Sequence, residues 1–330
     1  MDRRNKRSLR GTICFAVLVA VFAPGPAAAV GPDEVYTTLD LAEYCADLIL
    51  EDQGLMGVET IELVEHDLGP MHIYQMAVAT IDRMIAFERA MEIRPMPKVV
   101  STPARYTAAD AKRLADWILA EVQMVMLAQT QAAFPQYTAR VTGKTSTDVF
   151  EKVLRLFVKF DALAGRDRIT PNEVYAQAVR VVADVKSILG RIDSAHRYRI
   201  DAPPTPPDRT PADVFHQCLA FRREINELRR YLGLDTVPVP EVPGDRTLHP
   251  ADVIIQTQIL IAELNLLKLE TRTVSATPLA IPVTGKNPTD VFEQVAMGRY
   301  LLKQITTLQE MVRETPSLPD DGGEAKGETS

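Results

Sequence analysis

A tandem duplication organises this sequence of 330 residues. Residues 141–153 read VTGKTSTDVFEKV and residues 283–295 read VTGKNPTDVFEQV, so 10 of 13 positions are identical. The apolar segments that precede these stretches also agree, and an Ala-Glu pair ends at Glu121 in one copy and at Glu263 in the other. Two copies of one unit are expected to fold into two similar structures.

Each copy carries four examples of a short motif in which Pro or a small polar residue is followed, after one spacer, by an acid, Val and an aromatic residue; the example at 108–112 is degenerate. In the clearest example, Thr210 can cap a helix and Pro211 suits the first helical position. Asp213 can then accept a hydrogen bond from the cap amide and meets the positive end of the helix dipole. The motif therefore predicts helix starts, and its acids are structural rather than catalytic: Glu34, Asp110, Asp148, Glu173, Asp213, Asp252 and Asp290.

Apolar residues at helical spacing follow each motif, which predicts an all-α fold. Successive motifs lie about 38 to 40 residues apart, except for one shorter step that separates the fourth from the fifth. The sequence thus predicts a tandem duplication of a four-helix unit, with eight main helices in two bundles. Its expected divisions are a signal peptide at 1–29, modules at 30–166 and 167–315, and a disordered acidic tail at 316–330.

Long Pro-rich linkers connect the predicted helices, for example RYRIDAPPTPPDR and LDTVPVPEVPGDRTL. At ~3.1 Å per residue, an extended linker of about 15 residues reaches ~45 Å, further than the ~30 Å of a 20-residue helix. Such a linker can return along a bundle, so successive helices could point the same way. Parallel and antiparallel packing both stay open, as does a superhelical array, although the short central step favours two bundles.

The first 29 residues have the pattern of a secretory signal peptide. A basic start precedes an apolar run over 13–23, and Ala27 and Ala29 supply the small residues that a signal peptidase needs. The run is shorter than the ~20 residues that span a bilayer, so no stable membrane anchor is expected after cleavage. We therefore expect a periplasmic or secreted protein.

Removal of the signal peptide changes the charge of the chain. The formal charge of -7 includes five basic residues and one acid in the signal, so the mature chain carries -11. Such a charge gives no general attraction to nucleic acid, and no nucleic-acid partner is predicted. Cys45 and Cys218 remain in an oxidising compartment, where they could form a disulfide. The favoured alternative is that both are small buried residues on separate helices.

No catalytic, metal-binding or cofactor-binding pattern stands out. Gly143 and Lys144 lack the preceding glycine and strand that a phosphate-binding loop requires. The five histidines have no ligand spacing, and no nucleophile, base and orienting group occur together. The sequence therefore predicts no metal, no cofactor and no enzyme. Charges that match across the duplication are the remaining candidates for binding, although a solvated helix face would also explain them: Glu121, Glu263, Arg89 and Arg230.

The leading hypothesis from the sequence is an exported, non-enzymatic helical repeat protein that acts as an envelope scaffold or protein-interaction module with a protein partner. The alternative is a small-molecule sensor or carrier that holds its ligand between helices. The identity of the partner or ligand and the oligomeric state stay open.

Overall fold

The computed structural model describes residues 30–314, apart from residues 56, 59, 131–140, 167, 194–203, 243 and 245. Within these ranges the chain forms α-helices and no strand, which confirms the all-α prediction. The predicted signal peptide and acidic tail lie outside the described residues. The helices are α1 (Pro32–Asp52), α2 (Pro70–Ala90), α3 (Ala108–Gln129), α4 (Ser146–Leu163), α5 (Pro171–Ile192), α6 (Pro211–Tyr231), α7 (Pro250–Glu270) and α8 (Pro288–Glu314).

Every helix begins at one of the motifs found in the sequence. Six of them start with Pro, whose missing amide hydrogen is not needed in the first turn. Thr or another polar residue precedes most starts and adopts an extended backbone, as an N-cap requires. Local sequence therefore fixes where each helix begins.

The eight helices pack as two four-helix bundles. In the first bundle, α1 and α2 each contact both α3 and α4; in the second, α5 and α6 each contact both α7 and α8. The same pairing in both halves agrees with the duplication and confirms two bundles rather than one continuous array.

The four helices of each bundle run parallel. In the second bundle, the first turns of α5, α6, α7 and α8 meet around one surface depression. In the first, the Leu68 amide at the start of α2 donates to Oγ1 of Thr147 in α4, 3.3 Å away. Tyr106, just before α3, stacks on Tyr74 near the start of α2. Helices that share one end in this way need linkers that return along the whole bundle, as the linker length allowed.

A matched contact fastens the last linker of each bundle. The Lys144 amide donates to Oδ1 of Asp33 at 2.7 Å, and the Lys286 amide donates to Oδ1 of Asn172 at 2.8 Å. Each lysine also places its ammonium over a tyrosine ring of the bundle's first helix, at 4.5 and 4.4 Å. Lys144 and Lys286 belong to the matching stretches 141–153 and 283–295. In each bundle this stretch joins the start of the fourth helix to the start of the first.

The two bundles pack against each other through α2 and α7. His72 pairs with Glu263, and Gln75 pairs with Gln258, so the two helices run in opposite directions. α7 contacts α5 and α6 of its own bundle as well as α2. It is therefore covered on nearly every side, as a helix with little amphipathic character should be.

Candidate functional site

The seven acids of the helix-start motifs lie at the helix caps. In each case a carboxylate oxygen accepts a hydrogen bond from the N-cap amide at 2.8 or 2.9 Å. At Asp213, hydrogen bonds from the amide and hydroxyl of Thr210 hold the pKa of the carboxyl below its usual range. These are the capping contacts that the sequence predicts. Glu173 has a second contact, an ion pair with Arg83 of the other bundle.

The four charges proposed as binding residues do not come together. Arg89 and Arg230 are exposed near the ends of α2 and α6. Glu121 is half-buried on α3 and accepts a hydrogen bond from Nε1 of Trp117 at 3.4 Å. Glu263, its counterpart on α7, is fully buried. Only Glu263 takes part in a cluster of charged side chains.

The two mature cysteines are free thiols, so the disulfide considered from the sequence is not formed. Cys45 lies on α1 and Cys218 on α6, and these helices belong to different bundles and do not contact each other. Burial raises the pKa of Cys45 to about 11 and that of Cys218 to about 12. Both behave as small core residues, the alternative that the sequence favoured.

A buried polar cluster, which we call the interbundle seam, joins the two halves. Arg222 is its centre and is fully buried. Its guanidinium donates to Oε1 of Glu65 at 2.8 Å and to Oε1 of Glu263 at 3.3 Å. The seam consists of Glu65, His72, Gln75 and Ser101 from the first half and Arg222, Gln256, Gln258, Glu263 and Thr277 from the second.

Charge balance keeps Glu263 ionised at the centre of the seam. Burial alone would raise the pKa of Glu263, but the attraction of Arg222 and a contact with His72 outweigh it, and the pKa is lowered. Glu65 reaches the same guanidinium from the linker between α1 and α2. A buried carboxylate needs such partners, because an unpaired charge in the interior costs several kcal/mol. The seam therefore depends on groups from both bundles.

A second buried pair lies further along α7. Nζ of Lys268 is 2.5 Å from Oδ1 of Asp184 on α5, and both side chains are fully buried. Burial raises the pKa of Asp184 and lowers that of Lys268, although each partly offsets the other's shift. The Thr277 hydroxyl donates to Oδ2 of Asp184 at 2.7 Å, while the Thr277 amide donates to the carbonyl of Ser101 at 2.9 Å. This pair fastens the linker between α7 and α8.

Sequence reasoning missed most of these buried charges. One signal could have found them, namely a polar residue in one copy where the other copy has an apolar one. Arg222 aligns with Ile81, and Lys268 aligns with Met126. Both apolar counterparts are buried in the first bundle. A charge at a position that is buried in the other copy has to find a partner inside the protein.

An exposed apolar strip lies on the linker between α7 and α8. The exposed fractions are 92% for Val274, 41% for Leu279 and 73% for Ile281. Thr277, between them, is buried and held by the contacts described above. The strip is therefore apolar, solvent-facing and fixed to the body of the protein.

The depression at the helix starts of the second bundle is lined entirely by apolar residues. Each helix contributes its first residue, a proline, and the valine three residues later. The lining residues are Pro171, Pro211, Pro250, Pro288, Val174, Val214, Val253 and Val291. The capping acids lie one residue from these valines, so the chemistry of the depression itself is purely hydrophobic.

The described part of the chain contains no group of three or more His, Cys, Asp and Glu side chains placed to hold a metal ion. Over the same ranges, no helix combines the length and apolarity that crossing a membrane demands. Comparison of the chain with protein-family models, with curated proteins and with solved structures finds no match.

Proposed function

We propose that this protein is an exported, non-enzymatic helical module that binds a partner protein in the cell envelope and serves there as a scaffold. The exposed apolar strip on the linker between α7 and α8 carries the proposal. The envelope location rests on the secretory signal pattern in the first 29 residues.

The strip has the properties of a protein-binding surface. Single exposed apolar residues are ordinary, but Val274, Leu279 and Ile281 follow one another along an extended segment. Burying such side chains against a partner yields about 25 cal/mol per Å². Apolar residues that face solvent together commonly mark interaction sites.

The strip is also held in place before any partner binds. The Thr277 hydroxyl donates to Asp184 at 2.7 Å, and the Arg180 guanidinium donates to the carbonyl of Pro278 at 2.7 Å. Both anchoring side chains lie on α5, so the linker is tied to the bundle between Val274 and Leu279. A surface ordered in advance loses less conformational entropy on binding.

Site-specific photocrosslinking in intact cells tests this proposal. A photoreactive amino acid at position 281 should give a discrete crosslinked species, whereas the same probe at the exposed Lys186 position on α5 should not. Adding Val274→Asp to the position-281 probe should reduce the yield at least tenfold. Equal crosslinking from both positions, or none from position 281, would contradict the proposal.

A second candidate is a small-molecule sensor or carrier. The apolar depression at the starts of α5 to α8 favours it by its proline and valine lining, although the depression accommodates only the tip of an apolar group. Native mass spectrometry of the purified protein should then show a bound ligand. A clean mass for the chain alone, together with no thermal shift across a metabolite panel, would count against this candidate.

A further inference from the structure

His72 occupies a position that the other seven helices give to an acid. It is the third residue of α2, and its Nδ1 accepts a hydrogen bond from the Gly69 amide at 3.0 Å. The seven carboxylates described above accept the equivalent bond in the other helices. The imidazole is 1% exposed, so the bond is shielded from water. The start of α2 is therefore capped by an imidazole, whereas a carboxylate caps the other helices.

The geometry sets the protonation of this ring. A nitrogen that accepts a hydrogen bond carries no proton, so the single proton of the neutral imidazole lies on Nε2. That nitrogen faces Oε1 of Glu263 across the seam, at 3.8 Å. His72 therefore caps α2 through Nδ1 and faces α7 of the other bundle through Nε2.

The charges around the ring balance. Glu263 faces it from α7, and Arg222 on α6 bonds to the same carboxylate oxygen. Arg229, also on α6, acts on Glu263, and Glu65 from the linker before α2 completes the set. In the part of the chain that the structure describes, Glu263 is the carboxylate that lies within 4 Å of the ring, and no acid of α3 or α4 does. The two carboxylates and the two guanidiniums around the ring cancel in formal charge. A proton on Nδ1 would therefore act mainly by breaking the hydrogen bond from the Gly69 amide.

We propose that His72 is an acid-sensitive latch, in which proton uptake at Nδ1 opens the N-cap of α2 and moves the ring from this cap to an ion pair with Glu263 across the interbundle seam. A protonated imidazole is a donor at both nitrogens and cannot accept from the Gly69 amide. Closure of the cap and protonation of Nδ1 therefore exclude each other, and acid favours the open form. Gln75, which bonds to Gln258 of α7, lies one turn further along α2 and is coupled to this opening. The latch is independent of the proposed partner binding.

Carboxylate caps and an imidazole cap differ in the pH at which they open. A carboxylate stays ionised and accepting down to about pH 4. An imidazole ordinarily takes up its proton between about pH 8 and pH 5. Mild acid should therefore open the start of α2 while the seven acid-capped helices keep their first turns.

Hydrogen exchange followed by mass spectrometry tests the latch at pH 7.5 and pH 5.5, with rates corrected for intrinsic exchange. In the unmodified protein, protection over residues 69–75 should fall about five- to tenfold at the lower pH, the loss expected for one cap. His72→Gln keeps an acceptor and a donor but does not titrate, so its protection should be the same at both values. His216→Gln, at an exposed position on α6, should behave like the unmodified protein.

Two results would overturn the latch. One is protection in the unmodified protein that does not change with pH, and the other is an equal loss of protection in His72→Gln. Nitrogen NMR of the His72 ring provides a test that does not depend on the variant. At pH 7.5 its shifts should report a proton on Nε2, and a proton on Nδ1 would contradict the geometry.

Discussion

Arg222 is the largest of the fully buried side chains, and its position inside the protein depends on its two acidic partners. The net benefit of a buried ion pair is small, but removing one member leaves the others unpaired in the interior. Arg222→Met would leave Glu65 and Glu263 without their guanidinium. We expect a loss of about 3–5 kcal/mol in unfolding free energy, measured by urea denaturation. Arg223→Met, at the exposed neighbouring position, should change it by less than about 0.5 kcal/mol; similar effects of both would refute the assignment.

Gly298 lies inside α8, where alanine would ordinarily favour the helix by about 1 kcal/mol. A Cβ atom at this position would lie 2.7 Å from Cε1 of Phe221 on α6, whose ring is fully buried. Overpacking should outweigh the helix preference, so Gly298→Ala should destabilise the protein by about 1–3 kcal/mol in thermal or urea unfolding.

The matched control for this change is Gly190→Ala in α5, because a Cβ atom at position 190 would have no neighbour within 4 Å outside its own stretch of helix. This variant should be neutral or stabilise the protein by up to about 1 kcal/mol. If both glycines respond alike, close packing is not the reason for glycine at position 298.

At the scale of the helix, capping ties stability to pH. The pKa of Asp213 is lowered in the folded protein because the Thr210 amide and hydroxyl bond to the ionised carboxylate. The folded state therefore binds fewer protons at this site than the unfolded chain. Its stabilising effect is complete above the ordinary pKa of about 4 and is lost as pH falls below that value.

Asp213→Ala should lower the unfolding free energy by about 1 kcal/mol at pH 7. The difference between the variant and the unmodified protein should begin to shrink at pH 3, because the unfolded acid is mostly protonated there and the folded one takes up its proton as the pH falls further. Chemical denaturation at the two pH values measures this. Glu227→Ala, an exposed change on the same helix, should show no comparable difference at pH 7; a cost for Asp213→Ala that does not depend on pH would argue against capping by the ionised form.

The helices could be predicted from the sequence because their signals are local. Cap, proline and acid lie within four residues, so the starts of α6 and α7 needed no tertiary information. The interbundle seam could not be predicted in this way. Arg222 looks like any arginine of a solvated helix face until α7 and the linker before α2 are placed beside it. Burial of α7 by a second bundle is a property of packing, and only comparison of the two copies hints at it.

At the scale of the whole molecule, chain direction explains the long linkers. Parallel helices align their dipoles unfavourably, and the capping carboxylates at the starts of every described helix except α2 offset the positive ends gathered there. Between the bundles the directions are opposed, since α2 and α7 run antiparallel. The two halves are therefore the same unit packed in opposite orientations. Buried polar pairs lie between them, and the buried apolar residues of both halves form one continuous cluster. The parallel order had been left open by the sequence, because linker length permits it without requiring it.

A polar contact between bundles predicts that the two sides of the seam are energetically coupled. Nε2 of Gln75 donates to Oε1 of Gln258 at 2.8 Å, and both side chains are buried. Gln258→Leu should cost about 1–3 kcal/mol, because it leaves the Gln75 amide without its acceptor in the interior. Gln75 Oε1 also accepts from the buried Ser101 hydroxyl, so every variant of the cycle carries Ser101→Ala; adding Gln75→Leu should then recover part of the loss, since both partners are apolar. A double-mutant cycle measured by urea denaturation should therefore give a coupling energy above about 0.5 kcal/mol between Gln75 and Gln258. Strictly additive effects would mean that the bundles do not stabilise each other through this pair.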